Sequence, residues 1–243
     1  MPKSEPEFIV YAGPMFGGKT RSLFNHASEC LYLDIPFQFF KPAFDDRYSQ
    51  TEVMDHTGRI RFPATSVPDS SQIIPNLDSR TKVVLIDEAM FFDSDLPSIC
   101  TKIHDAGHDV YVSTLDMTAE RVAFPYRVQK NGGNHTIGTL FAVAKHVEKI
   151  PGKCQYPIHG HICQDDAWYS RSIIPKTEAV QKGGADQYIC TCDAHFNTPL
   201  MEPQIKYIAE RARRLKVLRE YNLTLPPTKL VWDESLEKRA ETK

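Results

Sequence analysis

No apolar run in this chain of 243 residues approaches the roughly 20 that cross a bilayer. The opening stretch, Met1-Pro-Lys-Ser-Glu-Pro-Glu7, is polar and has no signal-peptide core, so a cytoplasmic location is expected. Charge of one sign is also missing. A net charge of −2 gives no global attraction to nucleic acid or to a membrane surface. Internal repeats and low-complexity segments are absent, which excludes a repeat architecture. Cysteine is scarce: Cys30, Cys100, Cys154, Cys163, Cys190 and Cys192. In a reducing compartment these are not a disulfide framework. Cys154, Cys163, Cys190 and Cys192 fall close together, with His159 and His161 among them and His195 just after, a clustering that points to metal.

What is present is an ordinary globular composition, 41% hydrophobic and 25% charged. Short apolar runs at Phe8–Ala12, Phe37–Phe40, Val83–Ile86 and Val110–Ser113, with a weaker one at Val143–Ile150, read as strands covered on both faces. Helical segments are predicted between them, at 20–34 with the stripe Leu23, Phe24, Ala27 and Leu31, and at 94–107. Strands alternating with helices imply a parallel sheet in an α/β fold. Residues 42–78 read as polar and turn-rich, and a helix is predicted from Pro203 to Tyr221. Its cluster Arg211, Arg213, Arg214, Lys216 and Arg219 reads first as a solvated face. Composition changes near Pro151. The expected organisation is an α/β domain at 1–150, a metal-stapled module at 151–200 and a C-terminal helix with a charged tail at 201–243.

Behind the first apolar run stands Gly13-Pro14-Met15-Phe16-Gly17-Gly18-Lys19-Thr20, the pattern G-x-x-x-x-G-K-T. A strand running through such a loop into a helix cradles phosphates with backbone N–H groups. Lys19 supplies positive charge and the Thr20 hydroxyl is placed to ligate Mg²⁺. The run Val83–Ile86 ends in Asp87-Glu88. At the phosphate end of a buried strand, Asp87 is placed to hold Mg²⁺ and Glu88 to take a proton from a nucleophile, water or a substrate hydroxyl.

These two motifs resemble the type II thymidine kinase family. Asp87-Glu-Ala-Met-Phe-Phe92 is similar to its D-E-A-Q-F. Lys41-Pro-Ala-Phe-Asp45-Asp-Arg47-Tyr48 is similar to K-x-x-x-D-x-R, His56-Thr-Gly58 to S-H-x-G, Leu115-Asp116 to L-D, and Gly183-Gly184-Ala-Asp-Gln-Tyr188 to G-G-x-x-x-Y. The resemblance covers about 8–196. It implies a P-loop, RecA-like parallel sheet with helices on both faces and a small zinc-binding lasso. It also implies transfer of the γ-phosphoryl group of ATP to the 5′-hydroxyl of thymidine or a related deoxynucleoside, with Mg²⁺ and a structural Zn²⁺. Glu88 would be the catalytic base. Asp45 and Arg47 would join Lys19 and Asp87 around the phosphates, and Met15, Leu115, Phe124, Ser170, Gly183 and Tyr188 would line the nucleoside site. The resemblance further implies a homotetramer and feedback inhibition by thymidine triphosphate. For zinc, Cys192 and His195 match the family's second ligand pair and Cys163 its first. No cysteine stands three residues before Cys163, so His161 is chosen as the fourth ligand, with His159 and Cys154 as alternatives.

The base pocket departs from the pattern. Ala119 stands where the family's Phe stacks on thymine, Ser170 where Thr lies beside the 5-methyl, and Gln181 before the glycines. A roomier, more polar pocket follows, suited to a 5-substituted deoxyuridine such as the hydroxymethyl form. The alternative is a repacked thymidine pocket with Met117, Phe124 or Tyr126 moving in. Two other readings stay open: a P-loop ATPase acting on nucleic acid, and a non-catalytic nucleotide-binding relative.

Overall fold

The computed structural model describes residues 5–45, 50–55, 60–159, 161–174 and 184–220. The chain alternates strand and helix at first: β1 (Phe8–Gly13), α1 (Lys19–Tyr32), β2 (Phe37–Pro42), β3 (Glu52–Met54), β4 (Arg61–Pro63), β5 (Thr65–Val67), β6 (Val83–Ile86), α2 (Leu96–Asp105), β7 (Asp109–Leu115), α3 (Gly138–Val143) and β8 (His146–Lys149). Short pieces follow: β9 (Gly152–Lys153), β10 (Pro157–Ile158), β11 (His161–Ile162), β12 (Asp166–Ala167), β13 (Tyr169–Ser172), β14 (Tyr188–Thr191), α4 (Asp193–Phe196) and α5 (Glu202–Glu220).

The main sheet has the order β5-β2-β6-β7-β1-β8, with every neighbouring pair parallel. Its central strands are apolar on both faces, as a sheet covered on both sides requires; all of Val83–Ile86 is buried. On one face, Leu23, Phe24, Ala27 and Cys30 of α1 pack on Tyr11, Phe39, Leu85 and Tyr111. On the other, Leu96, Cys100 and Ile103 of α2 and Leu140 of α3 pack on Val10, Val84, Ile86 and Val112. The fold is thus an α/β P-loop type. Parallel order places the C-terminal ends of β6, β7 and β1 side by side along one edge, where such folds hold ligands.

Some sequence expectations shift. Leu31, expected on the buried stripe, is 61% exposed, and Cys30 turns inward instead. It lies seven residues from Leu23, nearly two full turns. The run expected as a strand at Val143–Ile150 is divided: Val143 ends α3 and only His146–Lys149 pairs with β1. As an edge strand β8 has one paired side, so polar residues suffice there. The polar stretch after Pro42 holds β5, which extends the sheet by pairing Phe40 with Thr65, and an antiparallel β3–β4 hairpin. Three-residue strands leave little periodicity to read, although Val53 and Phe62 anchor the hairpin to the α1 face.

Beyond β8, the antiparallel pairs β9–β12, β10–β11 and β13–β14 enclose a third cluster of Cys154, Tyr156, Ala167, Cys190 and Cys192, against which Phe16 packs. No helix among the described residues is long and apolar enough to cross a membrane.

Candidate active site and metal centre

The phosphate loop is built where β1 meets α1. At Gly13, φ is 151° and a Cβ would stand 2.2 Å from the Ile150 carbonyl oxygen, so no larger residue fits between β1 and the end of β8. Gly18, at φ 87°, turns the chain left-handed into α1. Phe16 adopts φ 63° without being glycine. Such strain gathers at functional sites. Lys19 Nζ donates to the Pro14 carbonyl oxygen at 2.6 Å. The Thr20 hydroxyl donates to the Asp87 carboxylate, 3.2 Å from Oδ1 and 3.3 Å from Oδ2.

Asp87 leaves the end of β6 and is 6% exposed. The Ser113 hydroxyl, on neighbouring β7, donates to its Oδ1. Ser113 Oγ in turn accepts the Glu88 N–H at 3.4 Å. Glu88 is held at φ 54° and ψ 44°, a left-handed conformation at the start of a 3₁₀ turn. A cleft open to solvent is lined by Thr20, Lys41, Asp45, Glu52, Val53, Met54, Asp87 and Glu88. The structure thus brings together Thr20, Asp45, Asp87 and Glu88, all singled out in the sequence. Arg47 lies outside the described residues, as do Tyr48 and His56-Thr57-Gly58.

Burial pushes the Asp87 carboxyl above its ordinary value and nearby Asp45 adds to this. Hydrogen bonds from Ser113, the Glu88 N–H and Thr20 oppose it. Burial pushes the Lys19 ammonium below its ordinary value, against the pull of Glu88, Asp87 and Asp116. A cation between Thr20 and Asp87 and a phosphate chain at Lys19 would relieve both strains together. The donor set therefore fits Mg²⁺ and a triphosphate.

Of the residues expected around the nucleoside, Leu115 and Phe124 share one apolar cluster and Met15 packs against it. Tyr126, 2% exposed, belongs to the same cluster. Ser170 is 4% exposed, and its hydroxyl accepts the Met15 N–H at 2.8 Å. Tyr188 is buried in β14 opposite Ser172 of β13. Ala119 is half-buried in the loop after β7. Asp116 pairs with Lys149 at 3.1 Å. Gln181 and Gly183 lie outside the described residues.

The metal centre corrects one expectation. The ligand atoms of Cys154, Cys163, Cys192 and His195 lie within 4.8 Å of one another. His161, chosen as fourth ligand, is exposed in β11 instead. Antiparallel pairing of β9 with β12 carries Cys154, the residue after β9, inward to the cluster; its Sγ is 3.7 Å from His195 Nδ1. Cys192 Sγ is 3.2 Å from the same nitrogen. A tetrahedral zinc with Zn–S of about 2.3 Å and Zn–N of about 2.0 Å separates neighbouring ligands by roughly 3.5–3.8 Å. The Cys₃His set is thus compatible with zinc. The Tyr156 ring stacks on His195 at 4.4 Å and 6°, fixing the imidazole plane. Cys190 is a bystander whose thiol donates to the Ala167 carbonyl oxygen.

Three residues escaped the sequence reading of the site. Lys41, 4% exposed, reaches the cleft; its place at the head of the K-x-x-x-D-x-R stretch was the available signal, although no site role was given to it. Glu52 comes from a hairpin with no apolar run. Ser113 lies within β7 and follows Val112 as Asp87 follows Ile86, its partner on β6, a relation visible only once β6 and β7 are known to pair.

A family model described as thymidine kinase matches residues 7–196. Among solved structures, domain III from the Thermotoga maritima replication initiation protein DnaA is similar at 15% identity and a TM-score of 0.34, over 62% of this chain and 57% of that one. The Legionella pneumophila ATPase DotB is similar at 12% identity and a TM-score of 0.38, over 98% of this chain and 62% of that one. The chain thus spans less than two thirds of either, and likenesses this slight bear on no functional conclusion.

Proposed function

The chain belongs to the thymidine kinase family, and from that premise we propose that it moves the γ-phosphoryl group of ATP to the 5′-hydroxyl of thymidine or a 5-substituted deoxyuridine. The carrying observation is the shared cleft: Thr20 bonded to Asp87, and Glu88 beside it in a strained conformation on the same wall. Glu88 accepts the 5′-hydroxyl proton as the oxygen attacks the γ-phosphorus. The bond from that phosphorus to the β–γ bridging oxygen breaks, and ADP leaves with the electron pair. Lys19 and the loop N–H groups balance charge on the group in flight, and Arg47 is assigned to the same task. Thr20 and Asp87 would hold a divalent cation, which would supply positive charge to offset that of the phosphates.

Ala119, in place of an aromatic platform, forgoes base stacking worth ~1–3 kcal/mol. With Ser170 and Gln181 it supports a base bearing a polar 5-substituent, and thymidine is the other candidate. Met15, Leu115, Phe124, Gly183 and Tyr188 complete this side. Residues 1–150 are read as the catalytic unit, 151–200 as a zinc-stapled cover for the nucleoside, and 201–243 as an appended helix and tail. A homotetramer inhibited by thymidine triphosphate is part of the same proposal.

The test is a nucleoside panel with ATP and Mg²⁺, run on wild type and Glu88→Gln. Phosphorylation of thymidine or hydroxymethyl-deoxyuridine, lost in the variant while ATP still binds, supports the assignment. Turnover of ATP that ignores nucleosides and requires DNA would overturn it.

A further inference from the structure

The loop leaving β7 is a tight turn. Thr118 N–H bonds to the Val122 carbonyl at 2.9 Å, Arg121 N–H to the Thr118 carbonyl at 3.1 Å, and Met117 bridges Ala123. At its tip Arg121 takes φ 62°, costly for a long side chain, and is exposed on its own loop. Its guanidinium lies 4.2 Å from the Tyr169 ring centroid and 5.1 Å from that of Phe196. One Arg121 nitrogen also donates to the Tyr169 hydroxyl at 3.1 Å. That hydroxyl donates onward to Asp193 Oδ1 at 2.7 Å. Asp193 and Phe196 belong to α4, which begins next to the metal ligand Cys192 and contains the ligand His195. None of these residues lines the cleft at Thr20, Asp87 and Glu88.

We propose that Arg121 is a positioning residue that couples the metal module to the nucleoside pocket. The module presents the two rings and Asp193; these hold Arg121; and Arg121 holds the turn that carries Ala119. The guanidinium is suited to this, because a planar cation stacks on rings while its fork donates in the ring plane. The link works on the acceptor side of the site and not on the ATP side. It rests on the nucleoside reading of Ala119 given above.

The experiment measures binding of thymidine, 5-hydroxymethyl-deoxyuridine and Mg²⁺–ATP by calorimetry, with metal content and melting temperature, on full-length wild type, Arg121→Ala, Arg121→Lys and Tyr169→Phe. The expected result is an about 2–5-fold weaker nucleoside affinity in Arg121→Ala, with smaller losses in the other two. ATP affinity and metal content stay at wild-type values. Unchanged nucleoside affinity in Arg121→Ala would overturn the coupling while leaving the kinase reading intact. So would an equal loss of both ligands together with metal, which marks a merely structural role. Wild type that binds neither nucleoside would overturn the functional reading and the coupling with it.

Discussion

The Ser170 hydroxyl accepts the backbone N–H of Met15 at 2.8 Å, joining β13 of the metal module to the phosphate loop across most of the chain. Ser170 is 4% exposed and Met15 half-buried, so the bond is partly removed from water. The hydroxyl keeps its own proton to donate, which leaves room for a role toward a bound base. One side chain thereby links the part of the molecule assigned to ATP with the part assigned to the nucleoside.

Ser170→Ala leaves the half-buried Met15 N–H without this partner, a cost of about 0.5–1.5 kcal/mol. KM should rise for both ATP and nucleoside, by about fivefold. Ser170→Thr keeps the acceptor and should stay near wild type. Steady-state kinetics with each substrate varied in turn decides it.

Metal content separates Cys154 from His161. Cys154→Ser should lose the bound metal and destabilise the module, since a Cys₃His site needs all of its ligands. His161→Ala should retain metal and melt as wild type does. Elemental analysis of purified protein reads both.

The Ser113 bond to Asp87 favours the ionised carboxylate, against burial, which favours the protonated form. Ser113→Ala removes that help, so the Asp87 value rises further and a smaller fraction is ionised at any given pH. Because a cation needs the ionised form, the acidic limb of the activity–pH profile should move to higher pH. An acidic limb that stays in place would count against Asp87 as the metal ligand.

Asp93 is 1% exposed and binds both the N–H and the hydroxyl of Ser70, at 2.8 Å each. Burial pushes its carboxyl up, but the bonds from Ser70 and Asp95 and the Lys130 charge outweigh it, so the net shift is downward. A depressed carboxyl stabilises the fold above its unfolded value, about 3.9, and that stability is lost as pH falls through the lower folded value. Asp93→Ala should therefore cost about 1–3 kcal/mol near neutrality, and the gap from wild type should shrink in acid. Urea midpoints at both pH values test this.

Legibility followed sequence distance. The phosphate loop, Asp87-Glu88 and the strands around them were readable because each is a local pattern: an apolar run, then glycines or acids at its end. The metal set was readable in part. Cys192 and His195 are one helical turn apart and announce each other, whereas Cys154 and Cys163 meet only because β9 folds back on β12. The β3–β4 hairpin that brings Glu52 to the cleft has too few residues to show a period. Arg121 in sequence is one charge in a loop; its value lies in the rings it meets.

By itself, the amino-acid sequence determined the phosphate-binding chemistry and the parallel α/β core, because backbone geometry at glycine and burial of apolar runs act over a few neighbouring residues. Only the tertiary structure decided which residues share a site. The order β6-β7-β1-β8 sets strand ends side by side that lie far apart in the chain. Those ends bring Ser113 to Asp87 and Ile150 to Gly13, and the module that follows brings Ser170 to Met15. These are contacts between distant residues, and no spacing along the chain encodes them.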